Sequence, residues 1–475
     1  MDRKVIKNYL YNTSYQLLLI VLPLITTPYV SRTIGAEGIG TYNYTNSITQ
    51  YFILFGCIGL NLYGQREIAY YQNNIKKRNN TFFELIILRF FTIVISLVVF
   101  YFTCIKISSY STLFLIQTMD IIASVFDISW FFQGLEEFKK IVTRNFFVKT
   151  ICVISIFTFV KSPDDLYLYV LSYSLTLLLG NISLWFYLPK YLRHVEFENI
   201  NIFRHIKPAV TLFIPQIATS LYTILDKTMI GALSNNSEVA FYTQAQVLIK
   251  TFLALLTSLG TVMLPRVSNL FKEKQFKEIK KSLMQSFNFV FFLAFPMTFG
   301  LMALSFNIVG WFFGPGFERV IPNLIIIAPI IIFIGLSNIM GTQYLLPVVK
   351  QKAYTLSVST GMIVNVIFNV LLIPVFASIG AAFATVIAEM CVAIVQYYFI
   401  RNDFSFAKIL ADNYKYIVCS IVMFIPACIL SVLFRSTIIN SLIVVFIGII
   451  TYFGLLIIFK DKMVINFFDK IKSFI

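Results

Sequence analysis

Residues Tyr29 to Gln50 read YVSRTIGAEGIGTYNYTNSITQ. The stretch sets Arg32, the glycines Gly35, Gly38 and Gly40, and a dense polar run between two long apolar segments. Glycine permits tight backbone turns, and an uncharged polar run of this density is too hydrophilic to face lipid on every side. The stretch therefore reads as a turn followed by a helix with a partner or a hydrated face. Its parts recur near the middle of the chain, and the recurrence sets the expected architecture.

Of the 475 residues, 58% are hydrophobic and 13% charged, where a soluble domain has about a quarter charged. The composition is that of an all-α integral membrane protein. The formal charge of +16 is spread over short gaps between apolar runs. No basic stripe follows a phosphate backbone, so nucleic acid is not an expected partner. The six cysteines, at 57, 104, 152, 391, 419 and 428, lie in or beside apolar runs without a CxxC pair, and only two histidines accompany them. Neither a disulfide framework nor a metal site is expected. The first apolar run is long, carries Pro23 and Pro28, and lacks a small-residue cleavage site, so it reads as a retained membrane helix.

A bilayer core about 30 Å thick needs roughly 20 apolar residues per helical crossing. About fourteen such runs occur, near 9–31, 39–64, 82–105, 111–133, 145–161, 166–188, 208–231, 239–264, 284–308, 320–345, 354–376, 380–400, 415–434 and 437–459. Lysine and arginine test the count, because they gather on the cytoplasmic side. With the N-terminus inside, cytoplasmic segments hold 30 of the 38, outer gaps hold 5 (Arg32, Lys106, Lys161, Arg319, Arg435), and Arg89, Lys227 and Lys250 fall within helices. Both termini are expected in the cytoplasm of a bacterial cell. No gap leaves room for a folded extramembrane domain, which disfavours a membrane-embedded glycan polymerase. The absence of a GxxxxGK[ST] loop disfavours ATP hydrolysis. No catalytic residues and no cofactor are expected.

The opening stretch is echoed by LDKTMIGALSNNSEVAFYTQAQVLIK, Leu225 to Lys250. Arg32, Thr33, Gly35, Tyr42, Gly59 and Arg66 correspond to Lys227, Thr228, Gly231, Tyr242, Gly260 and Arg266 at similar spacings. Both copies start inside, so the repeat is parallel. It predicts two six-helix lobes around a central cleft, at 1–203 and 204–402, with two extra helices and a tail in 403–475.

An ionisable group in hydrocarbon costs at least ~2.5 kcal/mol, so each needs a partner, a wet cavity or a task. In helix 7, Gln216, Ser220, Thr223 and Lys227 form one stripe, and helix 8 continues it with Thr243, Gln246 and Lys250. Lys250 falls about 18 Å along its helix, near the midplane. Helix 1 contributes Asn12, Gln16 and Thr27; helix 2 contributes Tyr42 and Asn46. These helices are expected to wall a hydrated cavity, against the plainer reading of interhelical hydrogen-bond glue. Beside Lys227, Asp226 suits a structural pair at the outer boundary. Arg89 and Asp127 lie at similar depth and suit a buried ion pair. Asp120, Ser124 and Asp127 share one face, which leaves a proton or sodium site open as the alternative. Glu389 is either structural or part of coupling. Tyr29, Tyr42, Tyr44, Tyr51, Tyr222 and Tyr242 flank the cavity, where a ring with a hydroxyl can stack on a sugar.

PYVSRTIGAEGIGTY, LDKTMIGALSNNSEVAFY, FFQGLEEFKK (Phe131 to Lys140) and IGAAFATVIAE (Ile379 to Glu389) together resemble polysaccharide transporters of the Wzx type. That family belongs to the multidrug, oligosaccharidyl-lipid and polysaccharide exporter superfamily. The resemblance implies a flippase for an undecaprenyl-diphosphate-linked oligosaccharide, serving capsule, O-antigen or a related glycan. It also implies a monomer working beside a glycan polymerase and glycosyltransferases, with coupling to a proton or sodium gradient open. Arg32, Lys227 and Lys250 are the candidate diphosphate cations, with Arg32 better placed as an outer gate and Lys250 as the central site. The alternatives are a lipid II flippase or a cation-coupled multidrug antiporter of the same superfamily.

Overall fold

The computed structural model describes residues 3–192, 200–461 and 463–465. Among them every regular element is helical. In chain order these are α1 (Arg3–Cys57), α2 (Leu60–Tyr70), α3 (Ile75–Phe100), α4 (Ser111–Phe126), α5 (Ser129–Gly134), α6 (Phe138–Phe159), α7 (Leu166–Ser183) and α8 (Ile206–Leu233). They continue as α9 (Asn236–Lys272), α10 (Phe276–Phe313), α11 (Val320–Ile327), α12 (Ile330–Ser337), α13 (Gln351–Phe376), α14 (Ser378–Ile400), α15 (Phe406–Leu433) and α16 (Ile438–Ile458). Eleven helical stretches among the described residues are long and apolar enough to cross a membrane. The other three expected crossings are those that the sequence places in α1 and α8.

The residues of the opening stretch form one helical run broken at Gly35, whose φ of 77° and ψ of 177° belong to glycine alone. A Cβ at this position would touch nothing within 4 Å, so the glycine serves the backbone and not the packing. The expected turn between helices 1 and 2 is thus a one-residue kink. A second break at Ile58 and Gly59, both with positive φ, separates α2, which runs on to Tyr70. The echoed copy turns differently. Its longer SNNSE segment supplies Asn235, whose side chain accepts from the Glu238 N–H at 3.0 Å and caps α9. Gly231, the counterpart of Gly35, stays helical and lies against the Tyr44 ring.

The chain separates into two compact units, Met1–Gly231 and Ala232–Ile475. By its contacts α8 groups almost wholly with the first. Within each unit the usual polarity is inverted: α16 exposes Ile439, Leu442, Phe446 and Ile450 while it buries Ser441, Gly448 and Tyr452. Lipid accepts the apolar face, and small or polar residues make the interhelical seams.

In the first unit, α4 packs on α7, and α1 on α3, α4 and α6. The FFQGLEEFKK segment buries Phe131 and Phe132 completely, against Phe82, Trp130 and Leu60. Lys140 then lies over the Tyr191 ring at 4.2 Å. In the second unit, the small residues of IGAAFATVIAE let α14 lie close on α13. At Gly380 a Cβ would approach the Leu372 carbonyl to 2.4 Å, so only glycine fits. The two C-terminal helices pack with α10, enclosing an apolar cavity of about 370 Å³ lined by Phe252, Met297, Met423, Val444, Ile449 and Tyr452 among others.

Candidate functional site

Two polar constellations stand out, one in each unit. In the first, the arm of α1 beyond Gly35 carries Thr45 and Thr49, both bonded to the buried Gln117 of α4 at 3.0 and 2.9 Å. On its next faces Ser47 and Tyr51 share hydrogen bonds with Thr228 of α8, at 2.9 and 3.1 Å. The polar run is therefore the seam by which α1 holds both α4 and α8. Asn46, half buried between these contacts, makes no hydrogen bond among the described residues.

Tyr42 stacks on Tyr173 at 5.6 Å and meets Tyr169 edge-on at 5.2 Å, while Tyr169 and Tyr173 lie 5.1 Å apart. The Asp120 carboxylate, 5% exposed, acts electrostatically on Tyr42. Its Oδ1 makes no hydrogen bond among the described residues, and the buried Ser174 hydroxyl is the polar side chain that interacts with the carboxyl. A carboxyl with an open lone pair among hydroxyls is a natural acceptor for a proton or a small cation. Ser124, on the same face of α4, donates instead to its own helix, to the Ile121 carbonyl.

Asp127 does not join this group. Arg89 Nη1 donates to the Asp127 backbone carbonyl at 2.7 Å, and Nη2 to Asn61 Oδ1 at 2.7 Å and Cys57 Sγ at 3.3 Å. The Asp127 carboxylate accepts from the Ser129 amide at 3.0 Å and from its hydroxyl. The expected Arg89–Asp127 side-chain ion pair is corrected accordingly: the chain leaves helical geometry at Asp127, which frees that carbonyl for Arg89 and turns the carboxylate to cap α5.

Of the other expected residues, Arg32 is exposed and donates to the Pro28 carbonyl at 3.1 Å. It sits at the C-terminal end of the first arm of α1, where a cation complements the helix dipole. Asp226 is buried and within electrostatic reach of Tyr51, and Lys227 is half buried beside it. Thr223 is exposed and donates to the half-buried Ser220's carbonyl at 2.9 Å. The side chains of Gln16 and Gln216 lie outside the described residues.

In the second unit, Thr243 is buried with its hydroxyl donated to Ala240, Gln246 is half buried, and Lys250 is exposed. Lys250 falls about 21 Å along α9 from Asn236 and makes no ion pair among the described residues. Tyr242 is fully buried and shares a hydrogen bond with Thr385 of α14 at 2.8 Å, so its hydroxyl serves helix packing. Glu389, one turn beyond Thr385, is half buried and acts electrostatically on Tyr354 of α13.

The sequence reading did not single out Gln117, Tyr169, Tyr173 or Ser174. For Tyr169, Tyr173 and Ser174 the signal was present as a polar and aromatic face at helical spacing, YLYVLSYS, in a segment otherwise apolar. Also unanticipated were two buried carboxylates that hold the starts of other helices, Glu84 within α3 and Glu238 in the first turn of α9. Glu84 holds Arg204 and His205, with Tyr63 on the other imidazole nitrogen. Glu238 holds Arg319 and Ser378.

A family model described as polysaccharide biosynthesis protein matches residues 5–271, and one described as lipid II flippase MurJ matches residues 143–453. The chain is similar to a putative O-antigen transporter of Escherichia coli (strain K12), 25% identical over 405 residues that cover 84% of this chain and 97% of that one. It is also similar to the probable low-salt glycan biosynthesis flippase Agl15 of Haloferax volcanii, 26% identical over 270 residues, covering 56% and 55%. Among solved structures, lipid II flippase MurJ in an inward closed conformation aligns with a TM-score of 0.77 at 18% identity, covering 96% of this chain and 100% of that one. An inward-facing multidrug resistance MATE family transporter aligns with a TM-score of 0.63 at 12% identity, covering 82% and 97%. These structural likenesses speak for the fold. With a family model spanning more than half its length, the chain belongs to the polysaccharide biosynthesis protein family, as a Wzx-type member of the multidrug, oligosaccharidyl-lipid and polysaccharide exporter superfamily.

Proposed function

We propose that this protein flips an undecaprenyl-diphosphate-linked oligosaccharide from the cytoplasmic to the outer leaflet of a bacterial membrane by alternating access. The two repeats, at 1–203 and 204–402, act as the moving lobes, and both termini stay in the cytoplasm. The protein works as a monomer that takes cargo made by glycosyltransferases and passes it to a glycan polymerase, for capsule, O-antigen or a similar polymer. The observation that carries this reading is Lys250: an exposed cation at mid-membrane depth, with Gln246 and Thr243 along the same helix and no ion pair among the described residues. A diphosphate needs such a charge, and a glycan needs hydrogen-bonding neighbours. Lys227 and Arg32 supply further cations toward the outer end. The apolar cavity between α10, α15 and α16 suits a polyprenyl chain that stays in the bilayer while the head group crosses.

Replacement of Lys250 by glutamine removes a charge-assisted hydrogen bond of about 1.5–3 kcal/mol. Export of the glycan should fall roughly ten- to hundredfold, with membrane insertion unchanged and Lys250→Arg retaining transport. Surface glycan in a strain dependent on the plasmid-borne gene is the measurement. Full export by Lys250→Gln would end the proposed role.

The match to the MurJ model favours lipid II as a second reading for the cargo. Proteoliposomes loaded with each lipid decide between them: faster flipping of lipid II than of the oligosaccharide lipid would reverse the order.

A further inference from the structure

One charged feature plays no part in the flipping site. At the end of the second unit that the charge pattern assigns to the cytoplasm, Lys277, Lys280 and Lys281 in the first turns of α10 face Lys408 in the first turn of α15. The four line a cavity of about 340 Å³, with Phe404 and Ser405 in its wall. None of the four makes an ion pair among the described residues. The nearby Asp403 is engaged by Lys350 at 3.5 Å and by the Tyr344 hydroxyl at 2.8 Å. Glu278, next to Lys277, and Asp412, one turn beyond Lys408, form no ion pair with any of them among the described residues.

Four like charges around one hollow repel one another and call for a counter-anion. Three further observations say what kind. Two helices begin here, α10 and α15, and neither N-terminal residue, Gln275 or Ser405, caps its helix with its side chain. Phe406 N–H donates to the Tyr397 hydroxyl at 2.9 Å, and the dipoles of both helices add positive potential, as at phosphate-binding helix ends. Phe404 is buried and carries the Lys280 ammonium over its ring at 5.8 Å, which holds that charge at the cavity. The lysines also lie within two turns of the starts of membrane-length helices, about 9 Å at 1.5 Å per residue. That is the depth of lipid head groups, where basic pockets between helices take anionic ones.

We infer that this cavity binds a lipid-borne phosphate of the cytoplasmic leaflet. The phosphate belongs either to a resident anionic phospholipid or to the diphosphate of cargo docking before transport. Only the cargo arm rests on the function proposed above.

The test uses the full chain purified in detergent, with retained lipid counted by native mass spectrometry after addition of phosphatidylglycerol, undecaprenyl diphosphate or phosphatidylcholine. The double variant Lys280→Gln/Lys408→Gln should retain about tenfold less of at least one of the two anionic lipids. Its phosphatidylcholine retention and melting temperature should match wild type, and Lys280→Arg/Lys408→Arg should bind normally. Loss confined to phosphatidylglycerol identifies a resident phospholipid; loss confined to undecaprenyl diphosphate identifies cargo docking; loss of both supports a site that reads the net anionic charge of a phosphate head group whatever it is attached to. Unchanged retention of both overturns the inference. Should the double variant not purify as a monodisperse species, the single Lys408→Gln variant serves, because Lys408 is exposed and unpaired among the described residues. A cavity variant that loses phosphatidylglycerol while Lys250-dependent export persists separates this site from the flipping site.

Discussion

Asp461 shows how a single charge is made tolerable at a membrane boundary. It is buried just past the end of α16, paired with Lys415 and accepting from the Tyr416 hydroxyl at 3.1 Å and the Met463 and Val464 amides at 2.9 and 3.1 Å. Burial alone would push its carboxyl up, but the hydrogen bonds from Lys415 and Val464 and the Lys415 charge outweigh it, and the group is held below its ordinary value. A depressed folded-state value means that the stabilisation is fully present above the unfolded carboxylate value, about 4, and is lost as pH falls through the folded one. Thermal unfolding in micelles should therefore show an acid-dependent loss of stability below about pH 4, and Asp461→Asn should abolish that component while lowering the neutral-pH melting temperature. An acid limb identical in both proteins would show that Asp461 does not set it. Arg89 follows the same logic deeper in the helices. Its burial was legible from its position in an apolar run, but its partners were not, since they include a backbone carbonyl released where α4 ends.

At the scale of elements, Glu238 ties three helices together. It lies in the first turn of α9, pairs with Arg319 at the start of α11, and accepts from the backbone N–H and hydroxyl of Ser378 at the start of α14. A carboxylate there also complements the positive ends of those helices. Arg319 is largely exposed, so that pair contributes little by itself. The buried Ser378 groups matter more: Glu238→Ala takes the acceptor from the Ser378 N–H and O–H, whose oxygen keeps its bond from Asn323 at 2.9 Å, at a cost of about 1–3 kcal/mol. The melting temperature should drop, and Arg319→Ala should drop it much less. Equal effects from the two substitutions would place the stabilisation in the ion pair instead. The kink at Gly35 was visible in the sequence as a glycine-rich turn between two apolar runs. Its reduction to one residue was not, because the neighbouring residues all keep helical geometry once Gly35 absorbs the change of direction.

For the whole molecule the open question is what drives transport, and Asp120 is the group we propose for coupling to a proton or sodium gradient. It is buried, its Oδ1 has no hydrogen-bond partner among the described residues, and it acts electrostatically on Tyr42, whose ring packs with those of Tyr169 and Tyr173. In proteoliposomes an imposed proton or sodium gradient should accelerate flipping by wild type, and Asp120→Asn should flip at one rate with or without the gradient. An undiminished gradient response in Asp120→Asn would remove Asp120 from the coupling step. Wild-type indifference to both gradients would make the flippase passive.

Composition and periodicity were enough for the all-helical membrane class and the rough placing of its apolar helices, while the family was legible only through the resemblance of the four motifs. The class and the placing follow from the bilayer itself, which demands long apolar runs, closed backbone hydrogen bonds and cations on one side. Local sequence also marked Asp120, Lys250 and Glu389 as expensive residues, since their cost depends only on depth. Folding decided who meets whom. Thr228 pairs with Ser47 and Tyr51, Gln117 bridges Thr45 and Thr49, and Lys408 closes a cavity against lysines more than a hundred residues earlier. Such pairings join residues far apart in sequence through the rotation of each helix about its own axis, and that rotation is set by packing against neighbours.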